Sequence, residues 1–388
     1  MKKGIRGEIL GKYQPEIHAY MTLVGTIVGA GIFGVPYVFS KVGVLFGVIY
    51  SAALGSFLTL MYLMFADVML RVGESARLPG LAKKVLGARA GAVAAATSII
   101  GFWAAMIAYL ILGGLFLSVL FEGIVELPLI VWQLIFYGLC ALIVARGLNL
   151  VGRAETLVTA LLILVMIYFI ARLAPHFELK NLTTLDARNL LLPYGVILFA
   201  LTGTGAIPSV REMLKGREKS LPKVIFGASL SAVVLTAIFG AAVVAVSGQA
   251  TTEKAVDGLA TFLGPWVIKT GALFGLLAIA TSFFSNGLYL RDIFRVDYRL
   301  TATLSNVLSL GIPVILFFLG AQEFIKIIGF AGAVFGCFEA IILSSAYLKA
   351  RAIKKARHLD LRIPKWWAYA IITIFTIGLV ATLASILV

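Results

Sequence analysis

The sequence predicts an all-α membrane protein with eleven transmembrane helices, and three observations carry that reading. Hydrophobic residues make up 61% of the 388-residue chain against 13% charged, where soluble domains run near roughly 45–50% and 25%. The apolar residues fall into eleven runs of about 20, the length needed to cross roughly 30 Å of hydrocarbon. Basic residues gather in every second connection.

A chain this apolar cannot cover a water-facing surface, which excludes soluble enzymes, disulfide-stapled modules and disordered regulators. Cys140 and Cys337 form no CxxC pair, and His18, His176 and His358 fall near or beyond the ends of the apolar runs. No metal centre or nucleophilic triad is indicated, so neither a resident cofactor nor an enzyme is expected.

In chain order the runs lie within residues 17–40, 43–70, 90–120, 128–145, 154–173, 190–212, 222–247, 264–290, 300–319, 323–348 and 365–387. None alternates as a barrel strand does, and helices are the default because lipid offers the backbone no hydrogen-bond partner. The polar first 16 residues precede a run too long and too glycine-broken for a signal-peptide core. Residues 78–89, with Leu78, Leu81, Val85 and Leu86 against Lys83 and Lys84, predict an amphipathic helix along the inner surface. Residues 251–263, with Val256, Leu259, Phe262 and Leu263 against Glu253, Lys254 and Asp257, predict a short helix over the outer end.

The formal charge of +15 reflects topology. With the amino terminus inside, the amino-terminal segment and the even-numbered connections hold 26 of the 33 Lys and Arg residues. That asymmetry puts the amino terminus in the cytoplasm and the carboxyl terminus outside the plasma (inner) membrane, and calls for no nucleic-acid partner. The partners expected are the lipid bilayer and a small molecule; oligomeric state is not legible.

Two spans are interrupted. The first contains Gly25, Gly29, Gly31, Gly34 and Pro36, and the sixth contains Gly203, Gly205 and Pro208. Glycine weakens a helix, and proline removes a donor and clashes with the preceding turn, so both segments are expected to unwind near mid-membrane. Close helix packing on small residues is the competing explanation for either one alone. Their placement favours unwinding: each opens a block of five spans, and an odd block leaves the second half inverted relative to the first. Paired broken helices in inverted halves point to a secondary transporter's midplane binding site. No G-x-x-x-x-G-K-[ST] motif supports a primary pump.

On these residues the chain resembles the amino acid–polyamine–organocation superfamily with the leucine-transporter (LeuT) fold, in its amino acid/auxin permease or aromatic amino acid permease branch. Gly25–Pro36, Leu192–Met213 (LPYGVILFALTGTGAIPSVREM) and Ala278–Asp292 (AIATSFFSNGLYLRD) carry the resemblance. It implies one transport domain over 1–388, with repeats at about 15–173 and 190–349 and an accessory helix at 365–387. It also implies a symporter of a neutral, aromatic or branched-chain L-amino acid, coupled to sodium or protons by alternating access. A membrane-embedded sensor akin to a germinant-receptor subunit, using the same pocket without net transport, is the alternative.

The implied substrate site is Gly29, Ala30, Gly31 and Ile32 with Phe199, Ala200, Thr202, Gly203 and Thr204. Free amides near Gly31 suit a carboxylate and free carbonyls on the sixth span suit an ammonium group. Trp103, Met106 and Tyr109 on the third span line the side-chain pocket or else face core or lipid. The implied ion site joins carbonyls of Gly25, Val28 and Ala278 to the hydroxyls of Thr281 and Ser282, a neutral oxygen cage suited to a hard monovalent cation such as Na+. Those hydroxyls could instead bond their own helix backbone.

Ile32 stands where members with a second sodium site carry Asn. The fifth-span lysine of proton-coupled relatives has no counterpart between Leu157 and Tyr168. Glu339, ten residues before Lys349, sits about 15 Å inside the membrane, either as a proton-coupling carboxylate or as a structurally paired one. Asp67 beside Arg71 and Glu155 beside Arg153 are expected to be interfacial ion pairs.

Overall fold

The computed structural model describes residues 2–73, 76–183, 186, 189, 191–252, 259, 265–353 and 363–387, and every regular element among them is helical. The first span comprises α1 (Lys2–Ile27) and α2 (Gly34–Val42), followed by α3 (Val44–Val72), a connecting α4 (Leu78–Leu86), α5 (Ala88–Leu120), α6 (Leu129–Arg146) and α7 (Leu148–Leu173). The second half begins with α8 (Leu192–Ala200) and α9 (Ile207–Met213), then α10 (Leu221–Ser247) and α11 (Pro265–Asp292). It continues through α12 (Ala302–Asn306), α13 (Ile312–Phe318), α14 (Phe324–Phe330) and α15 (Cys337–Ala350), and α16 (Lys365–Leu387) closes the chain. π-helical turns at Val307–Gly311 and Ala331–Gly336 join α12 to α13 and α14 to α15.

Among the described residues, nine helices are long and apolar enough to cross a membrane, or ten when the bent pair Gln14–Ile27 and Ala30–Val42 is taken as one span. The run Ala302–Phe318 is apolar but shorter. Leu139, Leu157, Leu164 and Ile377 are each more than half exposed, as residues facing hydrocarbon must be. The predicted outer helix at 251–263 lies outside the described residues, apart from 251, 252 and 259.

Elements at matching places in the two halves touch. The α1–α2 pair meets α8 and α9, α3 meets α10, and α5 meets α11. Two open helix ends are thereby held face to face at the centre, with α5 and α11 as the wall behind them.

The helix after the second span is shorter than expected, and its apolar face packs on protein. It stops at Leu86 because Gly87 takes φ +109°, and α5 begins at once. Leu78, Leu81, Ala82 and Val85 are buried. Its amino end is tied to the end of α11: the Arg77 and Gly80 amides donate to the Asp297 carboxylate at 3.1 and 2.9 Å, the Leu78 amide donates to Tyr289 Oη at 3.1 Å, and Arg77 pairs with Asp292. A carboxylate from a distant segment thus supplies the cap that the local sequence lacks.

Candidate functional site

The first break follows from the glycine spacing. α1 ends at Ile27, Gly29 is extended (φ −114°, ψ −152°), and a 3₁₀ turn over Ala30–Phe33 leads into α2 at a bend of 43°. Backbone bonds survive from Val28 N–H to Val24, from Gly29 N–H to Ile27 and from Ile32 N–H to Gly29. The Ala30 and Gly31 amides find no acceptor among the described residues. They are the open N-terminal donors of the second half-helix and carry its positive dipole end.

The second break has the opposite chemistry. α8 ends at Ala200, and a 3₁₀ turn at Thr204–Ala206 precedes α9, whose Pro208 sits in its first turn. Leu201 and Gly203 are both satisfied by one side chain: Tyr62 Oη donates to the Leu201 carbonyl at 2.7 Å and accepts from the Gly203 amide at 2.6 Å. The Ala200 and Thr202 carbonyls receive no backbone donor. Tyr62→Phe removes both contacts and leaves two buried peptide groups unpaired, each costing about 1–3 kcal/mol. The expected result is a stability loss of about 2 kcal/mol or more in thermal unfolding; a variant as stable as the parent contradicts the clamp.

Glycines let the breaks close on one another. A Cβ on Gly31 would collide with Ala200 Cα and lie 2.9 Å from Ala200 Cβ, so the two unwound segments are in backbone contact. A Cβ on Gly29 would run into Ser282 of α11. Gly25 leaves equally little room, wedged between Thr159 of α7 and Thr281 of α11.

Beside the breaks lies a cavity walled by both interrupted spans, α5, α11 and the segment around the Ala331–Gly336 turn. It is lined by Gly29, Ala30, Gly31, Phe199, Thr202, Tyr109, Ser282 and Glu339 among the residues singled out from sequence. Ile32, Ala200, Gly203 and Thr204 belong to the breaks but do not line it, and Gly25, Val28, Ala278 and Thr281 stand behind it. Of the third-span trio, Met106 is fully buried outside the lining, and Trp103 donates from Nε1 to the Leu308 carbonyl at 2.9 Å. The helical period accounts for this: Trp103 points about 120° away from Tyr109. The α5 face that meets the cavity is Thr97, Ser98, Gly101, Phe102, Ala105 and Tyr109.

Five phenylalanines form a buried cluster beside the first break. Phe33, Phe116, Phe169, Phe239 and Phe274 come from five different helical segments and are all fully or almost fully buried. Phe33 meets Phe116 and Phe274 at a tilt and Phe239 edge-on, at centroid distances of 4.8, 5.5 and 5.9 Å, and Phe239 lies 5.1 Å from Phe274. Phe116 follows Tyr109 by seven residues, about 10 Å along α5.

Behind the first break, neutral oxygens from three helices converge. Thr281 Oγ1 donates to the Gly25 carbonyl at 2.8 Å and to its own helix at Ala278 at 2.9 Å; Ser282 Oγ donates to the Thr26 carbonyl at 2.7 Å. Both hydroxyls therefore reach across to carbonyls freed near the end of α1, and back-bonding is only part of what they do. Thr159 Oγ1, buried and unpartnered, stands beside Gly25. Oxygens of this kind suit a hard monovalent cation.

Two further polar residues, Asn286 and Ser98, were not singled out from sequence, and a third, Glu155, points elsewhere than expected. Asn286 donates to Tyr109 Oη at 2.7 Å and lines the cavity. Ser98 faces it from α5. Glu155 is 2% exposed and accepts from Ser285, which in turn accepts from Thr26 Oγ1 at 2.7 Å; the expected interfacial carboxylate is thus turned into the bundle. Asp67 does pair with Arg71, at 2.7 Å.

A many-helix membrane bundle with two interrupted helices closing on a central cavity is the architecture of a transporter, not of an enzyme. The model of the tryptophan/tyrosine permease family matches residues 14–385, and the chain belongs to that family of amino acid transporters. It is 24% identical over 386 residues to the tyrosine-specific transport system 1 of Haemophilus influenzae, covering 93% of this chain and 94% of that one. Its fold is similar to that of MhsT in complex with L-phenylalanine, with a TM-score of 0.70 at 16% identity, over 95% of this chain and 98% of that one. It is also similar to MHP1, a nucleobase-cation-symport-1 family transporter in a closed conformation with bromovinylhydantoin bound, with a TM-score of 0.66 at 15% identity over 89% and 80% of the two chains.

Proposed function

We propose that this protein is a symporter of an aromatic L-amino acid, driven inward by sodium across the plasma membrane through alternating access. One observation carries the reading: two free amides, Ala30 and Gly31, face a second break whose Ala200 and Thr202 carbonyls are also free. An α-amino acid is the small molecule that offers a carboxylate to the first pair and an ammonium group to the second. The tyrosine-specific relative supports an aromatic side chain, as do the rings of Phe102, Phe199 and Phe335 in the cavity wall.

In this reading the chain crosses eleven times, with Ala302–Phe318 as the ninth span and with the first and sixth unwound at mid-membrane. The two blocks of five form an inverted repeat. The amino terminus is cytoplasmic, so the five-phenylalanine plug closes the outer path and the cavity belongs to the inner one. Sodium occupies the cage of Gly25, Val28, Ala278, Thr281 and Ser282, and by holding the end of α1 against α11 it favours the conformation that binds substrate. Rocking of the group formed by the first, second, sixth and seventh spans moves access from one side to the other.

The test is a thermal-shift screen of the twenty amino acids in sodium and in choline. A ligand at 100 times its Kd stabilises by about 2.7 kcal/mol, so aromatic L-amino acids should raise Tm, and more so in sodium. No shift with any amino acid would overturn the assignment. A shift without accumulation of labelled substrate in proteoliposomes would favour a sensor.

A further inference from the structure

The cavity contains one carboxylate. Glu339 lies in the first turn of α15, directly after the π-helical turn Ala331–Gly336, and faces the cavity across from Ser98 of α5. Both side chains are more than nine-tenths buried; Glu339 Oε1 and Ser98 Oγ have no hydrogen-bond partner, and the Thr204 hydroxyl is the protein neighbour of the Glu339 carboxyl. No Lys, Arg or His is among the cavity-lining residues. Buried polar atoms left unpaired are costly, so this pair defines what a ligand must bring: a hydrogen-bond donor placed away from its α-ammonium group, which the reading above assigns to the second break.

The surrounding surface says what carries that donor. Phe102, Phe199 and Phe335 line the cavity together with Gly101, Gly332 and Gly336. An aromatic-lined cavity with an acceptor in its wall matches an aromatic ring bearing an N–H or O–H. We propose that Glu339 is the specificity-determining residue: its carboxylate oxygen accepts a hydrogen bond from the phenol O–H of tyrosine or the indole N–H of tryptophan, Ser98 adds a second contact, and phenylalanine is rejected. This rests on the aromatic amino acid reading above. Rejection arises because a ring without a donor leaves the buried acceptor unpaired, a penalty that a mere difference in size does not impose.

The test is equilibrium binding of tyrosine, tryptophan and phenylalanine to the purified full-length protein, and to Glu339→Ala and Glu339→Gln. The unaltered protein should bind tyrosine or tryptophan at least about tenfold more tightly than phenylalanine. In Glu339→Ala the ratio should fall to within about threefold, with phenylalanine affinity kept or improved. Glu339→Gln, which retains an acceptor oxygen, should fall between them. Retained phenylalanine binding also reports that the variants are folded. A ratio unchanged by either substitution, or an equal loss of all three ligands in both, would overturn the proposal; the second pattern assigns Glu339 to the α-ammonium group or to proton coupling. Equal binding of the three by the unaltered protein overturns it while leaving the amino acid carrier intact, whereas binding of no amino acid removes the carrier reading itself.

Discussion

Gly31→Ala should reduce initial uptake of labelled tyrosine into proteoliposomes about 100-fold, while Gly138→Ala leaves it unchanged. At position 31 the added methyl carbon meets Ala200 Cα and lies 2.9 Å from both Ala200 N and Cβ. These neighbours are backbone and a short side chain, and cannot rotate away. The two unwound segments must therefore separate, and the free amides of the first move relative to the free carbonyls of the second. Displacements near 1 Å in such constellations cost on the order of 100-fold, in addition to about 1–3 kcal/mol of overpacking. At position 138 a Cβ meets nothing within 4 Å, and alanine improves helix propensity. Uptake by Gly31→Ala within about threefold of the parent would show that contact between the breaks is incidental.

The second large effect concerns the ion. Thr281→Ala removes one of the two hydroxyls that reach from α11 to the end of α1, leaving the Gly25 carbonyl without its 2.8 Å partner. The sodium concentration giving half-maximal uptake should rise at least about tenfold, equivalent to about 1.4 kcal/mol, and the double change with Ser282→Ala should abolish sodium activation. Thr281→Ser keeps the oxygen and should remain close to the parent, which separates ligation from packing. An unchanged sodium dependence in the double variant would remove the cage from the mechanism.

Much of this site is legible in the chain before any coordinates. Run length locates most of the long apolar helices among the described residues, because hydrocarbon thickness dictates how many apolar residues a helix needs, while the run at 300–319 yields only the shorter Ala302–Phe318. Glycine and proline mark both breaks, since only a helix end or a close approach accounts for four glycines and a proline within Gly25–Pro36. Two further features were legible and overlooked. Val151, Glu155, Thr159, Leu162, Met166, Phe169 and Leu173 form one buried stripe at spacings of four or three, so the helical period alone turns Glu155 inward. The same period separates Trp103 from Tyr109.

Other features lay out of reach. The direction of Glu339 depends on the π-helical turn before it: an inserted residue rotates everything downstream by about 100° relative to a regular count, and no residue pattern announces the insertion. The burial of α4 depends on Asp297 and Tyr289, more than 200 residues away. Local amphipathicity is the same whether a helix rests on lipid or on protein.

The central claim is that peptide groups at two helix breaks are completed by the two charges of a zwitterion. The most direct measurement compares binding of L-tyrosine with that of tyramine, which lacks the carboxylate, and of 3-(4-hydroxyphenyl)propionate, which lacks the ammonium group. Each lost charge removes hydrogen bonds worth about 1.5–3 kcal/mol apiece, so both analogues should bind at least about 100-fold more weakly although the ring is unchanged. If either binds as tightly as tyrosine, the corresponding break does not hold the substrate.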